Sequence, residues 1–411
     1  MDLSRRRLIS GTAAGLACFD SRAVASSLGL PAKSEFAVTK VETCLNNARW
    51  HPISVGATRA VQQYLEYKAG GGGANPNYGT DLQAQVKRQF AELIHARPSE
   101  IAFVPSTTVG ENLIASSLDL ARSGGNVVTD ALHFEGSLYQ YGELAKQGLE
   151  VRIARPSKSW RIELADLDRM IDARTKLVAV SLVSMINGFQ HDLKAVCDLA
   201  HSRGALVYAD AVQAVGAVPV NVRASGVDFL ACSSYKWLMG DMGLGFLYVR
   251  EELLGKRLRR VQYGFRQLPR VEYHAFPYDP PGDRVMDWTQ ASDAGGYFEV
   301  GTISNTTVAC LSHSLEWIKQ MGVEKIEAHR LPLLDRLQKE LPRLGFEPMT
   351  PVGSRSPIVT FAFGPGKDAA QLTGRLKQAK VDIAVYDHRI RVSPSVYNDR
   401  TDVDKLIAAL A

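Results

Sequence analysis

Lys236 stands between Tyr235 and Trp237, at the end of the apolar run VDFLACS and just ahead of the glycines in GDMGLG. A lysine ordinarily keeps its ammonium group in water. At the end of a buried strand it is desolvated, its pKa falls, and the free amine becomes a nucleophile toward carbonyls. Asp210 ends another apolar run, GALVYAD. A carboxylate there needs a charged or hydrogen-bonding partner. An Asp210–Lys236 ion pair would satisfy both. Three more polar positions follow apolar runs. Gln213 lies just beyond Asp210, Asn187 follows KLVAVSLVSMI, and Thr107-Thr108 follow IAFVPS at the start of a helical stretch. A helix start with hydroxyls and free N–H groups is an anion site. Simple N-capping by Ser106 or Thr107 is the plainer reading of that stretch taken alone.

One cofactor accounts for all of these positions. Pyridoxal phosphate needs a lysine for its Schiff base and a carboxylate to keep its pyridine nitrogen protonated. It needs a helix start for its phosphate, a donor to its ring hydroxyl, and a flat group to stack on the ring.

The elements that must position these groups are legible as a pattern. From about residue 100, short apolar runs alternate with amphipathic stretches: IAFV, NVVT, LEVRIA, KLVAVSLV, ALVYAD, VDFLACS and GLGFLYVR. Continuous Val/Ile/Leu/Ala runs separated by helices predict an α/β fold with a mostly parallel sheet covered on both faces. Ligands in such sheets bind beyond the carboxyl ends of the strands. After about residue 310 the pattern changes to two helices, then strand, helix, strand, strand, helix. That predicts a smaller α+β domain of about 100 residues. YKAGGGGANPNYG reads as a surface connection rather than a phosphate cradle, because no clear strand precedes it.

The whole chain has 411 residues, 45% hydrophobic and 22% charged, with a net charge of +5. This is an ordinary globular composition with no long basic block, which leaves nucleic-acid binding without support. Cys18, Cys44, Cys197, Cys232 and Cys310 show no metal-ligand spacing, and no metal is expected. The N-terminus, MDLSRRRLISGTAAGLACFDSRAVA, combines a basic start, a short small-residue apolar stretch and the ending Ala23-Val24-Ala25. It reads as a secretory signal over residues 1–25. Arg5-Arg6-Arg7 before Leu8-Ile9 resembles the twin-arginine type. The expected location is therefore the periplasm or beyond, reached through the twin-arginine export machinery with no stable membrane anchor; otherwise the protein is cytoplasmic.

The pieces STTVGENL, SMINGFQHDL, YADAVQAVG, SSYKWLMGDMGLGFLYV, FEVGT and RIRVSPSVYND together resemble the class V aminotransferase family of fold-type I pyridoxal-phosphate enzymes. The resemblance covers essentially everything after the signal. It implies a seven-stranded, mostly parallel sheet sandwiched by helices. An N-terminal segment (26–60) would line the substrate pocket, with a large cofactor domain at 61–305 and a small domain at 306–411. By resemblance, Lys236 forms the Schiff base and shuttles protons, and Asp210 pairs with the pyridine nitrogen. Gln213 or Asn187 binds the ring hydroxyl. Thr107, Thr108 and Ser233 or Tyr235 hold the phosphate. Tyr235 stands where many members have His, a choice resembling kynureninases. His133 is expected over the ring, with Phe134 as the alternative. Thr302 would reach the phosphate of a neighbouring subunit, which implies a homodimer with shared sites. Arg391 would grip a substrate carboxylate, and the Asn46–Pro52 stretch, including Asn47, would line the pocket.

The expected reaction is transamination of an amino acid. The alternatives are a kynureninase-like or C–S lyase, or an isopenicillin N epimerase-like epimerase, with side-chain modification of a siderophore precursor in the periplasm as one role. A catalytically inactive ligand-binding module is the non-enzyme alternative. Cysteine desulfurases need a cysteine on a loop in the C-terminal part, and no cysteine follows Cys310. That branch is therefore disfavoured.

Overall fold

The computed structural model describes residues 30–72, 75–364 and 366–411. The twin-arginine reading of residues 1–25 lies outside the described residues.

A short strand, β1 (Thr43–Cys44), comes first. Then β2 (Ile101–Val104), β3 (Asn126–Asp130), β4 (Glu150–Ala154), β5 (Thr175–Ser181), β6 (Leu206–Asp210), β7 (Phe229–Ser233) and β8 (Gly245–Val249) form a seven-stranded sheet in the order β2-β8-β7-β6-β5-β3-β4. β3, β4, β5, β6 and β7 are mutually parallel, and β8 runs antiparallel to both β7 and β2. Two reversals return β2 to the direction of β7. The carboxyl ends of β2, β3, β5, β6 and β7 therefore share one edge, and Asp130, Ser181, Asp210 and Ser233 all end strands there.

Apart from edge strand β4 and one half-buried residue of β5, every residue in these seven strands is buried. Helices on both faces cause this. Along β5, Leu177 and Ala179 join one apolar cluster while Val178 and Val180 join the other, as side-chain alternation requires. One face packs against the helix Tyr78–Leu93, where Phe90 stacks on Phe246 of β8 with ring centroids 3.9 Å apart. The other face carries the helix Thr107–Ser117, capped by Ser106, whose hydroxyl accepts from Val109 N.

β9 (Arg270–Tyr273) and β10 (Met286–Thr289) make a separate antiparallel hairpin. The small domain holds β11 (Phe346–Pro348), β12 (Val359–Phe363), β13 (Val381–Asp382), β14 (Ala384–Val385) and β15 (Arg389–Val392). Four of them form an antiparallel sheet in the order β11-β12-β15-β14, and β13 pairs with β1. Leu333, Leu337, Phe361, Ile390, Val392 and Leu406 fill its core.

Two expected domain borders move. The helix Asn305–Met321 packs on the helices Val55–Ala69 and Tyr78–Leu93, and its Val308, Leu311, Leu315 and Ile318 join the large-domain core. The small domain thus begins near Gly322, whose φ of +80° breaks the chain between two helices. Residues Thr43–Asn46 pair with the small domain, whereas the large domain already begins with the helix at Val55.

Candidate active site

The shared strand edge opens into a cavity lined by Ser106, Thr107, Thr108, Phe134, Ser181, Asp210, Gln213, Ser233, Tyr235 and Lys236. Seven of the expected cofactor residues therefore meet in one place, although they come from three separate stretches of chain.

Lys236 is only 7% exposed. Among the described residues, no carboxylate oxygen lies within 4.0 Å of its Nζ, so the simple ion pair with Asp210 is not what holds it. Burial pushes its pKa down to about 8, against the opposing charge of Asp210. Its ammonium group lies 5.6 Å from the centre of the Tyr235 ring. Asp210 is buried at the end of β6. Its Oδ1 accepts from Val212 N at 3.0 Å and its Oδ2 from the Ser181 hydroxyl at 3.4 Å. Burial pushes its carboxyl group up, and His133 opposes that shift.

Thr107 N donates to Ser233 Oγ and Ser233 N donates to Thr107 Oγ1, both at 2.9 Å. This fixes the helix start beside the end of β7. Gln213 Oε1 accepts from Trp237 Nε1 at 2.9 Å, and its Nε2 donates to Ala48 O at 3.0 Å. One amide hydrogen of Gln213 is left for a ligand. Amine, carboxylate, amide donor and hydroxyl-bearing helix start form the donor set that pyridoxal phosphate requires, and the residues fit it.

Three expectations, for His133, Asn187 and Asn47, change with the geometry. His133 does not face the cavity; Phe134 does. His133 is fully buried behind it, bonded to Ser181 Oγ at 2.8 Å and to Glu111 Oε1 at 3.1 Å. Of the two neighbours, Phe134 is the one whose ring lines the cavity. Asn187 is also withdrawn. Its Nδ2 donates to Trp160 O and Met349 O, and its Oδ1 accepts from Phe189 N, so it ties loops together outside the cavity that Gln213 lines. Asn47 is fully buried between Ser393 O and the Tyr397 hydroxyl; its neighbours Asn46, Ala48 and Arg49 line the cleft instead. Thr302 is exposed and away from both cavities.

The second cleft shares Phe134, Met185, Tyr235 and Lys236 with the first and adds Arg49, Tyr386 and Arg391. Arg391 lies on β15, only 3% exposed. It donates to Met185 O at 3.0 Å and, among the described residues, forms no ion pair and has no partner for its Nε. Burial lowers its pKa. A buried guanidinium without a carboxylate is costly unless a ligand supplies one.

The sequence reading missed Ser181 and Glu111, and covered Arg49 only as part of the Asn46–Pro52 stretch. Ser181 ends a strand just as Asp210 does, so the same rule would have found it. Glu111 sits inside a helix, and no sequence signal marked its burial. Cys44, Cys197, Cys232 and Cys310 are all buried, and none lines either cleft. Burial raises the pKa of each, to about 12 for Cys197 and Cys310.

Residues 57–406 match the family described as Aminotransferase class-V. A cysteine desulfurase from Escherichia coli is 27% identical over 354 residues, covering 80% of this chain and 82% of the relative. A probable cysteine desulfurase from Methanothermobacter thermautotrophicus is 27% identical over 304 residues, 71% of this chain and 70% of that one. The uncharacterized aminotransferase YcbU of Bacillus subtilis is 26% identical over 376 residues, 91% of this chain and 94% of that protein. Among solved structures, the E. coli cysteine desulfurase CsdA superposes with a TM-score of 0.80 at 22% identity, over 92% of this chain and 96% of that one. The cystine C–S lyase C-DES superposes with a TM-score of 0.79 at 20% identity, over 90% of this chain and 97% of that one. The doubly covered sheet, the lysine at its carboxyl edge and a family match over most of the length lead to one conclusion: the chain belongs to the class V aminotransferase family and is a pyridoxal-phosphate-dependent enzyme.

Proposed function

We propose that this enzyme is a lyase that breaks a carbon–sulfur bond of a free, anionic amino acid and releases the sulfur fragment to solvent. The observation that carries the reading is Arg391, a buried, unpaired guanidinium in a cleft continuous with Lys236. That cleft also bears Arg49, and no carboxylate lines it. The desulfurase and C–S lyase names among the relatives favour this chemistry over the transamination expected from sequence. Neither cleft carries a cysteine to receive sulfur, which favours release in a small molecule over a protein-bound persulfide.

Bound in the cavity, pyridoxal phosphate supplies the sink for the electron pair left at the α-carbon. The residues do the rest. Arg391 holds the α-carboxylate as a fork and so fixes the substrate plane. Lys236 Nζ takes the α-proton. Asp210 would hold the proton of the pyridine nitrogen, and Phe134 would cover the ring. The test is incubation of the holoenzyme with cystine, cysteine and other amino acids. Pyruvate and ammonia with released sulfur are expected. Amino transfer to an added keto acid would restore the aminotransferase reading instead.

We also propose a homodimer. Its support is the exposed Thr302 together with the exposed rings of Tyr263, Phe265, Phe276, Tyr278 and Trp288 in the segment before it. Sedimentation should give twice the chain mass; a monomer would overturn this. Export through a twin-arginine route rests on Arg5-Arg6-Arg7. Lysine at all three positions should hold the protein in the cytoplasm; unchanged export would remove the proposal.

A further inference from the structure

Behind the cavity lies a polar network that the chemistry above does not use. Glu111, in the middle of the helix Thr107–Ser117, is 1% exposed. Its carboxylate takes Ser137 Oγ at 2.5 Å, Tyr141 Oη at 2.8 Å and His133 Nε2 at 3.1 Å. The other ring nitrogen of His133 meets Ser181 Oγ at 2.8 Å, and Ser181 meets Asp210 Oδ2 at 3.4 Å. The chain of contacts therefore runs from a helix carboxylate to the carboxylate that faces the pyridine nitrogen.

We propose that His133 is a positioning residue: an imidazolium locked between Glu111 and Ser181, which keeps Asp210 charged and so sets the grip of the site on the cofactor's ring nitrogen. Counting protons leads to this assignment. An ionised carboxylate only accepts, and Glu111 faces three donors, so His133 Nε2 carries a hydrogen. Ser181 has one hydroxyl proton. When it goes to Asp210, the Ser181 oxygen accepts from His133 Nδ1, and both ring nitrogens are protonated. In the neutral alternative, Ser181 turns its proton to Nδ1 and presents a lone pair to Asp210.

Charge balance favours the first arrangement. The charged groups acting on His133 are Glu111 from the helix, Asp210 from β6 and Asp130 from β3; Tyr141, from the helix Glu135–Lys146, bonds Glu111, and Tyr208 of β6 lies near Glu111 and Asp210. Asp130 is already bonded to His191 Nε2 at 3.1 Å and to Leu132 N at 2.8 Å. Burial by itself would lower the imidazole pKa, but Glu111, then Asp210 and Asp130, outweigh it and carry it above its ordinary value. Glu111 and an imidazolium then cancel. Asp210 is left with one negative charge, matching one protonated pyridine nitrogen.

The experiment has two readouts, neither of them turnover. The first is 15N NMR of the wild-type enzyme labelled at histidine, with His133→Gln to assign the signals. Both His133 nitrogens should read as protonated at pH 7, and Glu111→Gln should convert the ring to a neutral tautomer. A neutral ring at pH 7 in the wild type would overturn the proposal. The second is the pyridoxal-phosphate Kd of refolded or purified apoenzyme, measured by fluorescence against pH. Glu111→Gln should weaken binding roughly tenfold or more, most strongly above pH 7, as partners behind a ligating group do elsewhere. A Kd within about twofold of wild type across that range would equally overturn it.

Discussion

Thr107 and Ser233 hold each other through both of their backbone N–H groups, each donating to the other's hydroxyl oxygen at 2.9 Å. They sit 126 residues apart in sequence, and β8 separates their strands. The cross-link sets the helix start and the Lys236 loop in one frame. Thr107→Val keeps the shape and leaves Ser233 N buried without a partner. It should lower stability by about 1–3 kcal/mol and weaken cofactor binding together. Urea unfolding and cofactor titration check this; unchanged affinity would remove Thr107 from the phosphate site.

Lys236→Ala should fold normally yet give no borohydride-trapped cofactor. In the wild type, the buried amine with a pKa of about 8 is mostly protonated at pH 7 and mostly free at pH 9. Capture of pyridoxal phosphate by the apoenzyme should therefore accelerate across that interval and level off above it. Stopped-flow absorbance measures this. A rate still climbing toward pH 10.5, the ordinary lysine value, would mean the amine is solvated.

Arg391→Ala should lower kcat/KM by roughly 30-fold or more, equivalent to about 2–5 kcal/mol of carboxylate binding. Arg391→Lys should not restore it, because the charge survives but the two-pronged geometry does not. Cofactor affinity should stay near normal in both. Near-wild-type kcat/KM in both would mean that the substrate carboxylate binds elsewhere.

Gly216 has φ +87°, and a Cβ there would lie 2.6 Å from the carbonyl oxygen of Trp237. Trp237 follows Lys236 directly. Gly216→Ala should therefore destabilise the fold by about 1–3 kcal/mol and displace the lysine loop. Thermal melting and the absorption of the bound cofactor should both change; a wild-type melting temperature would refute the close approach.

The α/β architecture and most of the site were legible in the residues themselves. An apolar run that stops at Asp, Ser or Lys marks the carboxyl end of a buried strand, and the chemistry of parallel sheets concentrates there. Lys236, Asp210, Thr107, Ser233 and Gln213 could be gathered that way, although nothing local says that Thr107 and Ser233 touch. What sequence does not encode locally is which of two neighbours faces a cavity, and which distant atoms satisfy a side chain. His133 and Phe134 differ by one position, and the turn after β3 points the ring of Phe134 into the cavity and the imidazole toward Glu111. Asn187 and Asn47 look like ligand-binding amides until their partners appear: Met349 is 162 residues from the first, and Ser393 is 346 from the second. The burial of Glu111 arises from the packing of one helix over another. Such facts belong to tertiary structure because a buried polar group takes its role from whatever the fold brings within hydrogen-bond reach.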